Sequence, residues 1–175
     1  VDIVTSVKDR MRDEVNEETA QAVAVGAIKY AVLKNSAGKD ILFDQTKSVN
    51  LEGDTGPYLE YTYARARSIL RKAREQKVIW DSGSQIARTT LAITEVERLL
   101  YTFPEVVERA VTEYEPHHVA GFLNELASVF NSWYAKEQVL DGGEAQAYKL
   151  ALTESVAITL RNGLWVLGIK APEKM

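Results

Sequence analysis

One stretch of the sequence places aromatic and basic side chains at helical spacing. Positions i, i+3, i+7, i+10 and i+14 of one helix face are occupied by Tyr58, Tyr61, Arg65, Ser68 and Lys72. A neighbouring row contains Arg67, Arg71 and Arg74. Aromatic rings stack on unpaired nucleic-acid bases, and arginine stacks on bases or pairs with phosphate. The pattern therefore indicates a surface for unpaired nucleic acid, although an amphipathic helix with ordinary solvated cations has the same appearance.

A second aromatic cluster stands at the end of a later apolar stripe. Phe130 and Trp133 fall on the stripe and are expected in the core. Tyr134 lies one position off the stripe, so its ring is expected at the rim, where a base could reach it.

No set of residues in the sequence predicts catalysis. Cysteine is absent, which excludes disulfides, thiolate metal sites and a cysteine nucleophile. The adjacent His117 and His118 point about 100° apart on a helix, so they do not form an i, i+4 metal pair. Phosphate-loop, dinucleotide-binding and nucleophile-elbow motifs are also missing. We therefore expect neither a catalytic residue nor a metal site.

Composition and charge limit the classes of protein to which this chain can belong. The 175 residues are 46% hydrophobic and 26% charged, with a net charge of −4, which is ordinary for a globular domain. An acidic balance argues against a nucleic-acid coat protein, but it permits a local basic strip. No apolar run approaches the ~18 residues of a membrane span, and the first residues carry no signal-peptide pattern. We expect a cytoplasmic protein without a membrane partner, and, because the chain opens at Val1, a piece of a longer one.

Helical periodicity predicts the elements that must position these side chains. A short helical stretch is expected over residues 2–12. Further helix starts are predicted at Asn16, Pro57, Ile86, Pro104 and Pro116. The Pro57 helix should run to about Val78, the Ile86 helix should end at Tyr101, and Gly168 should end the last helix in a left-handed conformation.

The apolar stripes and the near absence of a strand signal predict an all-α fold. The buried stripes run through Leu59, Tyr63, Ala66, Leu70, Val119, Phe122, Leu123, Leu126 and Phe130. Residues 57–175 should form an antiparallel helical bundle, and residues 1–56 a short helical connector before it.

The helix that carries Tyr61 and Arg65 resembles a known family. Its residues 60–73, EYTYARARSILRKA, resemble the Q-Y-A-x-x-R-x-x-S-x-x-R-K-A helix of arginyl-tRNA synthetases. The chain also resembles further segments of that family, in the same order, at residues 23–33, 43–58, 116–134 and 150–175. Two positions depart from the family pattern, since Glu60 stands where Gln is usual and Lys174 where Arg is frequent.

The resemblance implies a fold and a function. Arginyl-tRNA synthetases are class I enzymes that attach arginine to its tRNA with ATP and magnesium, and this chain resembles their helical anticodon-binding domain. It lacks the nucleotide-binding signatures of the catalytic core, so it should bind no cofactor itself and be inactive alone. The implied partners are an arginine-accepting tRNA and the catalytic core of the same chain.

The resemblance also implies which residues contact RNA. The family positions that contact the anticodon are matched by Tyr61, Arg65, Tyr134 and Met175. Further RNA contacts, predicted from position and side-chain type, are Tyr58, Arg67, Arg71, Lys72 and Trp133.

Two other functions stay open on the sequence. The domain could serve another class I synthetase, such as the cysteine or methionine enzyme, although the tyrosine–arginine helix and Met175 favour the arginine enzyme. It could instead be a helical protein-interaction domain whose basic strip is only a solvated face. The salt dependence of tRNA binding separates this last alternative from the others.

Overall fold

The computed structural model of the protein describes residues 2–11, 16–80 and 93–175. Within these ranges the chain forms seven helices and no strand, which confirms the all-α prediction. The helices are α1 (Ile3–Arg10), α2 (Glu17–Leu33), α3 (Gln45–Ser48), α4 (Gly56–Glu75), α5 (Glu95–Glu113), α6 (His117–Lys136) and α7 (Gln146–Val166). In these described parts of the chain, no helix combines the length and apolarity needed to cross a bilayer.

Several helix ends follow the signals in the sequence. Asn16 Oδ1 accepts the Thr19 N–H at 2.8 Å and begins α2. Thr55 caps α4, and Pro57 lies in its first turn. The same helix ends at Glu75, before the predicted Val78, because Lys77 adopts a left-handed conformation with φ 56°. Gly168 has φ 67° after α7, as predicted.

The prediction that Pro104 starts a separate helix is wrong. Helix α5 is continuous, with Pro104 in its interior. An interior proline removes one backbone hydrogen bond and costs ~3 kcal/mol, and the packing of α5 against α6 and α7 offsets this cost. The local start signal of α5 is Glu97, whose carboxylate accepts the Thr94 backbone N–H at 2.5 Å. The predicted start at Ile86 lies outside the described residues.

The main apolar core lies among α4, α5, α6 and α7, which pack on one another as a bundle. The stripes predicted from the sequence form its centre, where Leu59, Leu70, Leu123, Leu126 and Phe130 are fully buried. This core fixes α4 and α6 side by side, so the residues on their outer edges face a shared surface.

A smaller apolar cluster joins α1 to α2. Val7 of α1 and Met11 directly after this helix pack there against the small residues of α2, and Met175 from the C-terminal tail packs against the same cluster. Tyr30 connects α2 to the bundle, since its hydroxyl donates to Asp54 at 2.6 Å and lies 3.2 Å from the carbonyl of Ala120. The N-terminal helices and the tail are thereby anchored close to α4.

Glu60 lies fully buried where α2 crosses α4. Among the described residues, neither of its carboxyl oxygens has a hydrogen-bond partner. The carboxyl group fits beside Gly26, where a Cβ atom would lie only 2.7 Å from Oε1. Burial raises the pKa of Glu60 well above its ordinary value. Burial therefore favours the neutral, protonated form of the side chain, which is close in shape to glutamine.

Glu60→Gln should preserve the fold and change how stability depends on pH. Unfolding of the wild type releases the Glu60 proton at any pH between its ordinary pKa of 4.5 and its raised folded pKa. The contribution to stability is therefore complete below the lower pKa and is lost as the pH rises, by up to ~1.4 kcal/mol per pH unit. Urea denaturation from about pH 5 to about pH 8 should show a smaller loss of stability with pH for Glu60→Gln. Parallel pH profiles for the two proteins would contradict this account.

Candidate nucleic-acid interface

An open groove of about 980 Å³ runs along α4. Its walls come from α4, from the end of α6 with the segment after it, and from the C-terminal tail. All four residues predicted as the anticodon site, Tyr61, Arg65, Tyr134 and Met175, line this groove. The fold thus brings together side chains from three distant parts of the chain, and their contact with RNA stays a prediction.

Arg65 holds a defined position between two aromatic rings. Its Nη1 donates to Asn131 Oδ1 at 2.6 Å, and its Nη2 donates to the Tyr61 hydroxyl at 3.2 Å. The guanidinium carbon lies 4.8 Å from the centre of the Tyr61 ring and 5.9 Å from that of Tyr134. Both distances are within cation–π range. The half-buried guanidinium is therefore oriented before any ligand binds.

A second groove of about 520 Å³ adjoins the first. Tyr61, Arg65 and Met175 line both grooves, and Tyr58 and Asn131 line only the second. The predicted RNA contact Tyr58 therefore lies next to the main site. Asn131 was missed by sequence reasoning, because one asparagine within an apolar helix pattern carries no signal of its own.

Two of the further predicted residues do not line either groove. Arg67 Nη2 donates to Glu173 Oε1 at 2.9 Å, which connects the C-terminal tail to α4. Trp133 is half-buried against the core, with its ring centre 5.8 Å from that of Phe130. Arg67 supports the tail that carries Met175, so its position favours an indirect role over direct RNA contact.

The main groove has an excess of positive charge although the whole protein is acidic. Its lining includes Arg65, Arg71, Lys72, Lys136 and Lys174. The two lining carboxylates already have cationic partners, since Glu137 pairs with Lys149 at 2.9 Å and Glu173 pairs with Arg67. An anionic ligand therefore meets cations on the groove walls.

The side chains of the groove match the chemistry of unpaired nucleotides. Tyrosine rings provide stacking faces, the guanidinium provides a plane with N–H donors, and lysines attract phosphate.

The described residues contain no group of three His, Cys, Asp or Glu side chains that could hold a metal ion. The two histidines instead pair locally, His117 with Glu115 at 2.8 Å and His118 with Glu113 at 2.6 Å.

Comparison with known proteins identifies the family. Residues 59–175 match the model of the DALR anticodon binding domain. The chain is 42% identical to the arginine–tRNA ligase of Thermococcus kodakarensis over 99% of this chain and 28% of that protein. It is 43% identical to the arginine–tRNA ligase of Ligilactobacillus salivarius over 91% of this chain and 28% of that protein.

A solved structure supports the same assignment. The arginyl-tRNA synthetase of Thermus thermophilus matches with a TM-score of 0.80 and 36% identity, over 99% of this chain and 30% of that one. The chain thus spans about 28% of the length of the curated relatives it matches. By the match over residues 59–175, the chain belongs to the DALR anticodon binding domain family.

Proposed function

We propose that this chain binds the anticodon loop of an arginine-accepting tRNA as part of an arginine–tRNA ligase. The observation that carries the proposal is the basic groove in which Tyr61, Arg65, Tyr134 and Met175 converge. The relatives of this chain are arginine–tRNA ligases, which favours the arginine enzyme over the cysteine and methionine enzymes. The oriented guanidinium and the excess of cations favour RNA over a protein partner.

Each part of the groove has a role in this proposal. An unpaired base stacks on the ring of Tyr61 or Tyr134, while the Arg65 guanidinium donates hydrogen bonds to its edge. Arg71 and Lys72 contact the phosphates that flank this base. The Met175 backbone oxygen is an acceptor of the kind that an exocyclic amino group requires, and the packed Met175 side chain fixes the tail.

The same proposal extends to the organisation of the enzyme. Residues 57–175 form the anticodon-binding domain, and residues 1–56 connect it to a catalytic core. The small apolar cluster of α1 and α2 and the start of the family match at residue 59 support this division. ATP and magnesium are needed by the catalytic core, so the chain alone should not aminoacylate tRNA. A cytoplasmic location fits this role in translation.

Binding to a fluorescent arginine tRNA at several salt concentrations tests whether the groove binds nucleic acid. Each phosphate contact to a single strand contributes about −0.7 to the slope of log affinity against log salt. The double variant Arg71→Gln, Lys72→Gln should therefore reduce the slope by about 1.4. A control variant, Lys39→Gln, removes an exposed cation outside both grooves and should leave the slope nearly unchanged. Binding without salt dependence, or no binding, would favour the protein-interaction alternative.

A further inference from the structure

Asn131 forms side-chain hydrogen bonds with three residues of α4, Tyr58, Thr62 and Arg65. We propose that Asn131 is a positioning residue that determines anticodon discrimination by fixing the Arg65 guanidinium between Tyr61 and Tyr134. This inference rests on the proposed function and extends it to a residue that contacts Arg65, which is proposed to recognise the base, rather than the base itself.

The contacts of Asn131 use its whole amide group. Its Oδ1 accepts from Arg65 at 2.6 Å, while its Nδ2 donates to the Tyr58 hydroxyl at 3.1 Å and to Thr62 Oγ1 at 2.9 Å. A primary amide has two N–H donors and one carbonyl oxygen, so all of its groups have partners here. Because a guanidinium has only donors, the oxygen of the amide must face Arg65. The orientation of the amide is therefore fixed by its chemistry.

The fixed amide leaves a defined part of Arg65 free for a ligand. A guanidinium has five N–H donors, and the bonds to Asn131 and Tyr61 use two of them. The remaining N–H donors lie in the plane of the guanidinium group, and the orientation of this plane is set before a ligand binds. A long arginine side chain without this support samples other rotamers, and ordering it again upon binding reduces affinity by about threefold to tenfold.

Asn131 itself is poorly placed to read the base directly. Its side chain is half-buried between α4 and α6, and its donors and acceptor are already engaged by residues of α4. A base that displaced one of these contacts would leave a hydroxyl or the guanidinium without its partner. Asn131 therefore acts through Arg65, and its effect should depend on the presence of the guanidinium.

A double-mutant cycle tests this dependence. Binding of an arginine tRNA, and of the same tRNA with a replaced anticodon, is measured for wild type, Asn131→Ala, Arg65→Ala and the double variant. We expect Asn131→Ala to weaken cognate binding by about threefold to tenfold and to reduce discrimination between the two tRNAs. In the Arg65→Ala background, the same change should alter cognate binding by less than about twofold. Asn124→Ala, on the same helix but outside both grooves, should bind as the wild type does.

The results of this cycle distinguish a positioning role of Asn131 from direct RNA contact or a purely structural role. An equal loss from Asn131→Ala with and without Arg65 would overturn the proposal, since Asn131 would then contact RNA or support the fold alone. Absence of tRNA binding by the wild type would instead refute the proposed function. Should Asn131→Ala fail to fold, Asn131→Asp keeps an oxygen toward Arg65 and should retain anticodon discrimination. Loss of discrimination in a folded Asn131→Asp variant would also overturn the proposal.

Discussion

Arg65→Ala should weaken the binding of an arginine-accepting tRNA by about 1–3 kcal/mol, the range for loss of an arginine that contacts a base edge. The variant removes the guanidinium that lies beside the Tyr61 and Tyr134 rings. Under the proposed function, the variant removes both the hydrogen-bond donors to the base and a plane on which the base can stack. Fluorescence anisotropy with labelled tRNA at matched salt measures this loss.

The same variant should also change stability. Removal of a fully exposed side chain at this position would cost less than ~0.5 kcal/mol. The structure instead gives Arg65 hydrogen bonds to Asn131 and Tyr61, so we expect a cost of about 0.5–1.5 kcal/mol. Arg74→Ala is a suitable control because Arg74 lies on the same helix, exposed and outside both grooves. Cognate binding as tight as that of the wild type would contradict the role of Arg65, and an equal loss for every tRNA would indicate a phosphate contact only.

Leu126→Ala should lower the free energy of unfolding by about 2–5 kcal/mol, as other large-to-small changes in packed cores do. Leu126 is fully buried on α6, the helix that contacts α4, α5 and α7. Removal of the isopropyl part of its side chain leaves a cavity among side chains that are held by the other three helices. Urea denaturation measures the change.

Glu125→Ala provides the matched comparison for Leu126. Glu125 is the preceding residue on α6 and is exposed, so its replacement should change stability by less than about 0.5 kcal/mol. Similar unfolding midpoints for Leu126→Ala and the wild type would show that α6 packs through a different face.

Local patterns were sufficient to predict the elements that form the groove. The helix-start signals at Asn16, Pro57 and Pro116 and the apolar stripes predicted the positions and buried faces of α2, α4 and α6. Since helical spacing and the direction of an apolar stripe are properties of short segments, they can be derived without knowledge of the tertiary fold. The convergence of Tyr134 and Met175 on Arg65 came from the family resemblance, not from spacing.

Contacts between distant segments could not be derived from these patterns. Asn131 meets Arg65 across two helices, and Arg67 meets Glu173 near the other end of the chain. Glu60 was likewise not recognised as buried, because the crossing of α2 over α4 at Gly26 covers a side of α4 that its own stripe leaves open. The continuity of α5 through Pro104 also depends on tertiary packing that overrides local propensity.

Under the proposed function, the groove distinguishes anticodon bases. Anticodon recognition is tested most directly by the affinity of the wild-type chain for an arginine tRNA and for the same tRNA with its anticodon replaced, at one salt concentration. Because the two molecules differ only in the anticodon, phosphate contacts contribute nearly equally to both. We predict that the replaced anticodon weakens binding by about fivefold or more, as the loss of one base-specific contact worth about 1–3 kcal/mol requires. Equal affinities would contradict anticodon recognition by this groove.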